Sequence, residues 1–278
     1  MKLKHSLVAL AAAAIAGSAM AAPTITNLNG TFSFSGLDYS SVGQGLVTGY
    51  DITSATAAGT VDPFTLHFQA NATGIINANG LAISPASIPG LNTTYEYTIS
   101  ATVQETATCF ASGLVTCGLA ELNIVGGIYN VYYDTNPATF ANYSTGTGFN
   151  NGAPLFSGTF SSGQPILAPQ GTSNPGNLSL GTTFFGNVTT TNLTFINPAL
   201  STTSASTTLQ FGNTQTAGFI PPVAFNGVPV GPTTNTNFFF QADANQTVHA
   251  IPEPGSLALF SLAVAGLGLV TRRRSKKV

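Results

Sequence analysis

The chain has 278 residues, of which 43% are hydrophobic and only 6% are charged. All seven Lys and Arg residues lie at the two ends, so residues 5–271 contain nine acidic residues and no Lys or Arg. This distribution excludes a nucleic-acid-binding domain, because such domains use Lys and Arg to neutralise phosphates. It also excludes a phosphate-handling enzyme with a P-loop lysine.

Residues 1–21 have the three parts of a secretory signal peptide. Lys2 and Lys4 supply the positive charge, a short apolar run follows them, and Ala19 and Ala21 are the small residues before the predicted cleavage site. The apolar run is too short to favour a permanent N-terminal membrane anchor. The sequence therefore predicts export through the Sec translocon and cleavage by signal peptidase after Ala21.

Residues 22–250 are predicted to form one secreted all-β domain. Thr, Gly, Asn and Ser are abundant there, and apolar and polar residues alternate with a period of two, most clearly over residues 95–103. The predicted strands, in chain order, are 31–35, 64–69, 95–103, 119–125, 127–133, 155–160, 182–196, 206–211 and 236–241. This pattern favours an antiparallel β-sandwich or jelly roll. A linker is predicted over residues 242–254, and it contains His249.

Cys109 and Cys117 follow a long predicted strand and are separated by seven residues. An exported domain meets an oxidising compartment, in which such a pair is expected to form a disulfide. A metal site would need more ligands than two thiols, and a nucleophilic cysteine would need a positive neighbour that the domain lacks. We therefore predict a structural disulfide, no metal site and no cofactor.

No residues in the domain match a catalytic motif. His67 and His249 lack a Ser-His-Asp context and the spacing of a metal site. Two carboxylates can hydrolyse a glycoside, but the parity of their positions places Glu96 and Glu105 on opposite faces of one predicted strand. We assign no catalytic residue and predict a domain that is not an enzyme, with a secreted hydrolase that uses two acids as an alternative.

The C-terminal segment, residues 251–278, contains three consecutive features. It begins with Pro252-Glu253-Pro254, continues as an apolar run, and ends in a basic tail with Arg272, Arg273 and Arg274. A helix over residues 255–270 would be about 24 Å long, slightly short of a hydrocarbon core of roughly 30 Å, and arginines can close that gap by snorkelling. The basic tail predicts a cytoplasmic C-terminus, with the domain on the other side of the membrane.

This order of motif, apolar helix and arginine cluster resembles the PEP-CTERM sorting signal of Gram-negative bacteria. The resemblance implies that the inner membrane holds the chain transiently, with the passenger domain in the periplasm. It further implies that an exosortase cuts near Pro252-Glu253-Pro254. The passenger would then reach the cell surface or the extracellular matrix.

Four segments of the passenger also resemble flocculation-associated PEP-CTERM proteins; they are residues 22–32, 128–135, 147–152 and 240–244. This resemblance implies a role in cell aggregation, in a floc or biofilm held together by exopolysaccharide. Two kinds of contact stay open. The domain can meet neutral polysaccharide through polar and aromatic side chains, or it can associate with itself along sheet edges that lack protective lysines. A carbohydrate-binding module without a role in the matrix is the alternative function.

Overall fold

The computed structural model describes residues 22–51, 57–112, 117–169, 181–200, 205–213, 221–226, 228–230 and 237–250. The chain divides into two compact units, and the larger one comprises Ala22–His249. The smaller unit comprises Met1–Ala21 and Ala250–Val278, and apart from Ala250 it lies outside the described residues. The predicted signal-peptide helix and membrane helix both belong to that unit.

The described residues contain fifteen strands and two short 3₁₀ helices, Pro85–Ser87 and Pro137–Thr139. In chain order the strands are β1 (Thr24–Asn27), β2 (Gly30–Ser33), β3 (Gly36–Tyr39), β4 (Gly43–Thr48), β5 (Val61–Ile76), β6 (Glu96–Ser112), β7 (Cys117–Asp134), β8 (Ala153–Gly163), β9 (Ile166–Pro169), β10 (Gly181–Thr191), β11 (Ile196–Asn197), β12 (Ala205–Asn213), β13 (Ala224–Phe225), β14 (Val228–Pro229) and β15 (Asn237–Ala250).

Eight strand positions close into an antiparallel barrel. β3 and β4 share one position, because both pair with β5 on one side and with β15 on the other. β5, β6, β7, β8, β10 and β12 follow in chain order, and β15 closes the ring by pairing with β12. Each strand of the ring is thus hydrogen-bonded to a neighbour on both sides.

The prediction of an all-β domain is confirmed, but the described strands form a closed barrel instead of the predicted sandwich or jelly roll. Alternating inward and outward side chains are common to all three architectures, so the sequence pattern does not separate them. The long β6 and β7 strands pair with shifts of register, one of them between Gln104 and Glu105. Such bulges increase twist and bend the strands, which favours closure of the sheet.

Two predicted boundaries are wrong. The segments 119–125 and 127–133 belong to the single strand β7, because Gly126, which separates them, pairs with Gln104 next to a bulge instead of forming a turn. A side chain at Gly127 would come within 2.6 Å of the Thr102 carbonyl oxygen, so the strands pack closely there. The predicted linker over 242–254 is strand as far as Ala250, which includes His249, and Ala242 and Gln246 are fully buried in it.

Aromatic rings fill much of the barrel interior, as expected when eight strands leave a space that side chains can occupy. Tyr129 packs against Phe160 with ring centres 5.0 Å apart, and Phe160 packs against Phe184 at 5.5 Å. A short chain of neutral hydrogen bonds also crosses the interior. The Tyr39 hydroxyl donates to Gln246 Oε1 (2.8 Å), and Gln246 Nε2 donates to Thr207 Oγ1 (3.2 Å).

One end of the barrel, which we call the capped end, is where β5 and β7 end and β6 begins. Here β1 pairs with β2 and β11 in a small separate sheet. The Leu28 amide donates to the Tyr133 hydroxyl (3.0 Å), and Asn27 Nδ2 donates to the Tyr97 hydroxyl (3.0 Å). Because these tyrosine rings stack 5.3 Å apart inside the barrel, the β1–β2 hairpin is hydrogen-bonded to the core.

Candidate functional site

Most of the predicted site residues lie outside the described residues. They are Ala19 and Ala21 of the cleavage site, Pro252, Glu253 and Pro254 of the sorting motif, and Arg272, Arg273 and Arg274 of the basic cluster. Within the part of the chain that the structure describes, no helix has both the length and the apolar character needed to span a membrane.

The predicted disulfide between Cys109 and Cys117 is present, with the two Cα atoms 5.7 Å apart. Both cysteines are buried, and the bond joins β6 to β7 near the tip of their hairpin. The same region is tied to the segment before β5, because the Cys109 amide donates to the Thr60 carbonyl (2.8 Å). The disulfide therefore holds β6 and β7 together near the hairpin tip, and the Cys109 amide connects the tip to the segment before β5.

Glu96 and Glu105 lie on opposite faces of β6, as the parity of their positions predicts. Glu105 alternates with the buried residues Val103 and Ala107, so it belongs to the inward face. Glu96 belongs to the outward face, where the loop of residues 135–152 covers it. These two acids therefore do not form a pair.

Glu96 instead pairs across the sheet with Asp134, a neighbour that the sequence interpretation missed. Glu96 opens β6 and Asp134 closes β7, so the pairing follows directly once β7 is a single strand. Interpreting residues 117–134 as one strand that continues through its glycines would have found it. Burial, followed by the nearby Asp134 carboxylate, raises the pKa of Glu96 to about 7, although a hydrogen bond from the Ala141 amide opposes the shift.

Both carboxyl groups of this pair accept hydrogen bonds from the loop above them. Glu96 Oε1 accepts from the Ala141 amide (2.8 Å). Asp134 accepts from the Asn136 amide (2.8 Å), the Thr139 hydroxyl (2.7 Å) and Asn151 Nδ2 (3.1 Å). Because the two acids accept hydrogen bonds from their own loop and are almost completely buried, this geometry supports a structural role for the pair.

An uncharged network fixes two further segments to the outer wall of the barrel. Gln69 Nε2 donates to Gln44 Oε1 (2.7 Å), and Gln44 Nε2 donates to the Tyr143 carbonyl (2.6 Å). The Asn226 amide donates to Gln69 Oε1 (3.0 Å), and Asn226 Nδ2 donates to Ser100 Oγ (2.7 Å). Side-chain amide groups thus connect distant segments here, as ion pairs of Lys and Arg do in other proteins.

An open cleft of about 440 Å³ lies at the other end of the barrel, where β4 ends and β5 begins. We call this the cleft end. The residues that line it are Thr48, Gly49, Pro63, Phe64, Thr65, Gln104, Glu105, Thr106 and Val125. Val125 is the extra residue of the β7 bulge, and 59% of it is exposed at the rim. No pattern in the sequence signals this cleft, because it depends on the bulge.

Glu105 is the one acid among the lining residues, and it is only 6% exposed. No described residue forms a hydrogen bond or an ion pair with its carboxyl group. Burial raises the pKa of Glu105 to about 8, so the group is largely neutral at pH 7. Glu105 thus differs from Glu96, whose carboxyl group has a partner within the domain.

His67 lies within β5, as predicted, on the outer wall. Its Nδ1 is 3.2 Å from the Thr102 hydroxyl, and its ring is 5.9 Å from that of Phe225. Burial lowers the pKa of His67, which favours the neutral ring near pH 7. These contacts fit a packed polar residue.

A family model described as the PEP-CTERM protein-sorting motif matches residues 250–274. The match spans Pro252-Glu253-Pro254 and extends through Arg274. Neither a curated protein nor a solved structure matches the chain. The chain therefore carries a PEP-CTERM protein-sorting motif, which confirms the predicted resemblance of the C-terminal segment to this sorting signal and indicates an exported protein that is sorted at the membrane by an exosortase.

Proposed function

We propose that residues 22–250 are the passenger of this sorting signal and act, without catalysis, as a surface or extracellular-matrix domain that promotes cell aggregation with exopolysaccharide. The observation that carries the proposal is the sorting motif at residues 250–274 on a domain that contains no Lys or Arg. An exported domain of this kind binds partners through neutral polar and apolar groups, since it has few charges to offer.

The outer wall of the barrel supports contact with neutral polysaccharide. Thr102, Ile128, Thr159 and Asn187 are paired in turn across β6, β7, β8 and β10, which makes a row of outward side chains. Ile128 is 56% exposed, and Thr159 and Asn187 are exposed as well. Hydroxyl and amide groups next to apolar surface suit a sugar chain, which has both polar edges and apolar faces.

Closure of the barrel weighs against self-association along sheet edges. A free edge strand presents unpaired amide and carbonyl groups to another chain, and a closed ring removes such edges. β15 pairs with β12 on one side and with β3 and β4 on the other, so the ring has no gap. We therefore favour exopolysaccharide over self-association as the partner in the matrix.

The alternative function is a carbohydrate-binding module that has no structural role in the matrix. The cleft beside Glu105 favours it, because a defined cleft suits a specific ligand better than it suits many weak contacts. The two functions differ in what the cells lose without the protein. Loss of aggregation supports the matrix role, whereas loss of glycan binding with normal aggregation supports the alternative.

The test is deletion of the gene, followed by measurement of how fast the culture settles. We expect slower settling, restored by the complete chain and not by a chain with P252A, E253A and P254A, because unsorted protein does not reach the matrix. A chain with S256A, next to the motif, is the matched control and should restore settling. Settling that is unchanged by the deletion would refute the proposed matrix role.

A further inference from the structure

We infer that the capped end of the barrel contacts the surface of the lipid bilayer through three exposed leucines, while the chain is still attached to the membrane. The partner is a phospholipid bilayer. The inference concerns the protein before its release, so it goes beyond the proposed role in aggregation and does not depend on it.

The first argument is the place at which the two terminal segments join the barrel. β1 begins at Thr24, close to the predicted cleavage site, and belongs to the small sheet of the capped end. β15 also ends there, because the Val248 amide donates to the Ser35 carbonyl (2.6 Å) and the Ser35 amide donates to the carbonyl of Ile76, the last residue of β5 (2.7 Å). The predicted signal peptide and the predicted membrane helix are therefore both attached to the capped end.

The second argument is the short reach of the C-terminal connection. Residues 251–254 alone lie between the end of β15 and the predicted membrane helix over residues 255–270. Four residues span at most about 14 Å, even when they are fully extended. As long as the membrane holds the tail, this connection keeps the capped end within reach of the bilayer.

The third argument is the exposed apolar surface of the capped end. Leu28 lies in the turn between β1 and β2, Leu81 follows β5, and Leu193 follows β10. These leucines are 64%, 64% and 65% exposed, respectively. Large exposed apolar side chains that lie together mark an interaction surface, and leucines of this kind can enter the boundary between headgroups and acyl chains.

Hydrogen bonds connect the three segments that carry these leucines. The Thr26 amide donates to the Phe195 carbonyl (2.7 Å), which joins the turn after β10 to β1. The Ala78 amide donates to Ser33 Oγ (3.0 Å), which joins the turn after β5 to β2. The three leucines therefore lie on one hydrogen-bonded cap.

The fourth argument is the position of the acids. Glu96 and Asp134 at the capped end are 2% and 7% exposed, so no acid among the described residues of this end is exposed. Asp38 and Asp243 are partly buried on the side wall, in β3 and β15. Because a bilayer that contains anionic lipids repels carboxylates, the capped end can approach it without that cost.

The cleft end differs in this respect. It also has apolar side chains that are more than half exposed, namely Val61, Phe110 and Val125. Beside them, however, are acids that are exposed or partly exposed, namely Asp51, Asp62 and Glu121. The apolar surface of the cleft end is therefore less suited to an anionic bilayer, and neither terminal segment joins the barrel there.

The test uses the complete chain, expressed in a host without an exosortase so that it keeps its tail, in vesicles of phosphatidylethanolamine and phosphatidylglycerol. The chain contains no Trp, so one substitution supplies a single fluorescent probe. Leu28→Trp, Leu81→Trp and Leu193→Trp report on the capped end, and Phe110→Trp, at an equally exposed position, is the matched control at the cleft end. We expect lipids with brominated acyl chains to quench the three capped-end probes and not Phe110→Trp, since interfacial side chains are buried by roughly 5–10 Å.

Serine variants separate the effect of the leucines from that of the tether. In the Leu193→Trp chain, Leu28→Ser together with Leu81→Ser should reduce the quenching, because it removes the apolar contact. Val61→Ser together with Val125→Ser, at the cleft end, should leave the quenching unchanged. All five positions are more than half exposed, so the fold should tolerate the changes, and circular dichroism in detergent checks this.

Four results would overturn the inference. No quenching of the capped-end probes would exclude the contact, and equal quenching at both ends would mean that the barrel moves freely on its tether. Quenching that survives the two serines would mean that the leucines do not make the contact. A blue shift of the capped-end probes without quenching would mean that a protein, such as a second copy of the chain, covers them. Settling of the culture is not measured here, so failure of the matrix role would leave this result intact.

Discussion

The two ends of the barrel differ in the hydrogen-bond partners that they give to a buried glutamate. At the capped end, Glu96 and Asp134 are buried and accept hydrogen bonds from the loop of residues 135–152. At the cleft end, Glu105 on the same strand is buried without a described partner. The difference shows that burial of an acid does not by itself reveal its role. A carboxyl group with a complete set of partners, such as that of Asp134, stabilises the structure.

Asp134→Ala tests the capped end with the largest expected effect. The change removes the acceptor of three hydrogen bonds from the loop, so we expect the free energy of unfolding to fall by about 3 kcal/mol. Urea denaturation measures it. Glu121→Ala, a partly exposed acid on the same strand, should change it by less than about 0.5 kcal/mol. Equal effects of the two variants would contradict the structural role of Asp134.

Removal of the disulfide tests the hairpin near the cleft end. Cys109→Ser together with Cys117→Ser should lower the free energy of unfolding by about 2–3 kcal/mol, because the unfolded chain loses a constraint on a short loop. Urea denaturation measures the free energy of unfolding of the double variant and of the native chain, with and without a reductant. Reductant should destabilise only the native chain, and an equal effect on the double variant would show that its action is unrelated to this bond.

Glu105→Leu should raise the free energy of unfolding by roughly 2 kcal/mol, the opposite sign from Asp134→Ala. It replaces an almost completely buried acid, whose charged form burial disfavours, with an apolar side chain of similar size. Thermal denaturation at pH 7 measures the change. A clear loss of stability would mean that Glu105 has a partner within the native fold, and the contrast between the two ends would no longer hold.

The pH dependence of stability tests the two buried glutamates of β6 together. Burial raises the pKa of Glu96 to about 7 and that of Glu105 to about 8, so the unfolded chain loses these protons first. The unfolded state binds fewer protons between pH 4.5 and 8, and stability therefore falls as pH rises, by at most about 1.4 kcal/mol per unit for each group. Glu96→Gln and Glu105→Gln should each flatten the curve of unfolding free energy against pH. A curve that rises over this range would contradict the assignment.

The sequence identifies features that depend on local order. Pro252-Glu253-Pro254, the apolar run and the arginines stand in a fixed order, which is why the sorting signal is recognisable. Alternation locates β5, β6 and β15, since inward residues such as Phe68 and Ile99 must be apolar in any packed sheet. Cys109 and Cys117 are the two cysteines of a chain with an export signal, which is sufficient to predict their bond.

Features that depend on distant pairing are not predictable in this way. Closure of the barrel needs β12 to meet β15, and alternation carries no information about which strands are neighbours. The pairing of Glu96 with Asp134 is hidden while Gly126 is interpreted as a break between two strands. The cleft beside Glu105 depends on one extra residue in β7, whose position depends on twist and not on composition.

The most direct test of the account is the intact mass and location of the mature protein. Trypsin is unsuitable, because the chain has no Lys or Arg between Lys4 and Arg272. The account predicts a matrix-associated protein that begins at Ala22 and has lost the basic tail with Arg272, Arg273 and Arg274. A protein that keeps this tail and stays in the inner membrane would contradict the proposal that the barrel acts outside the cell.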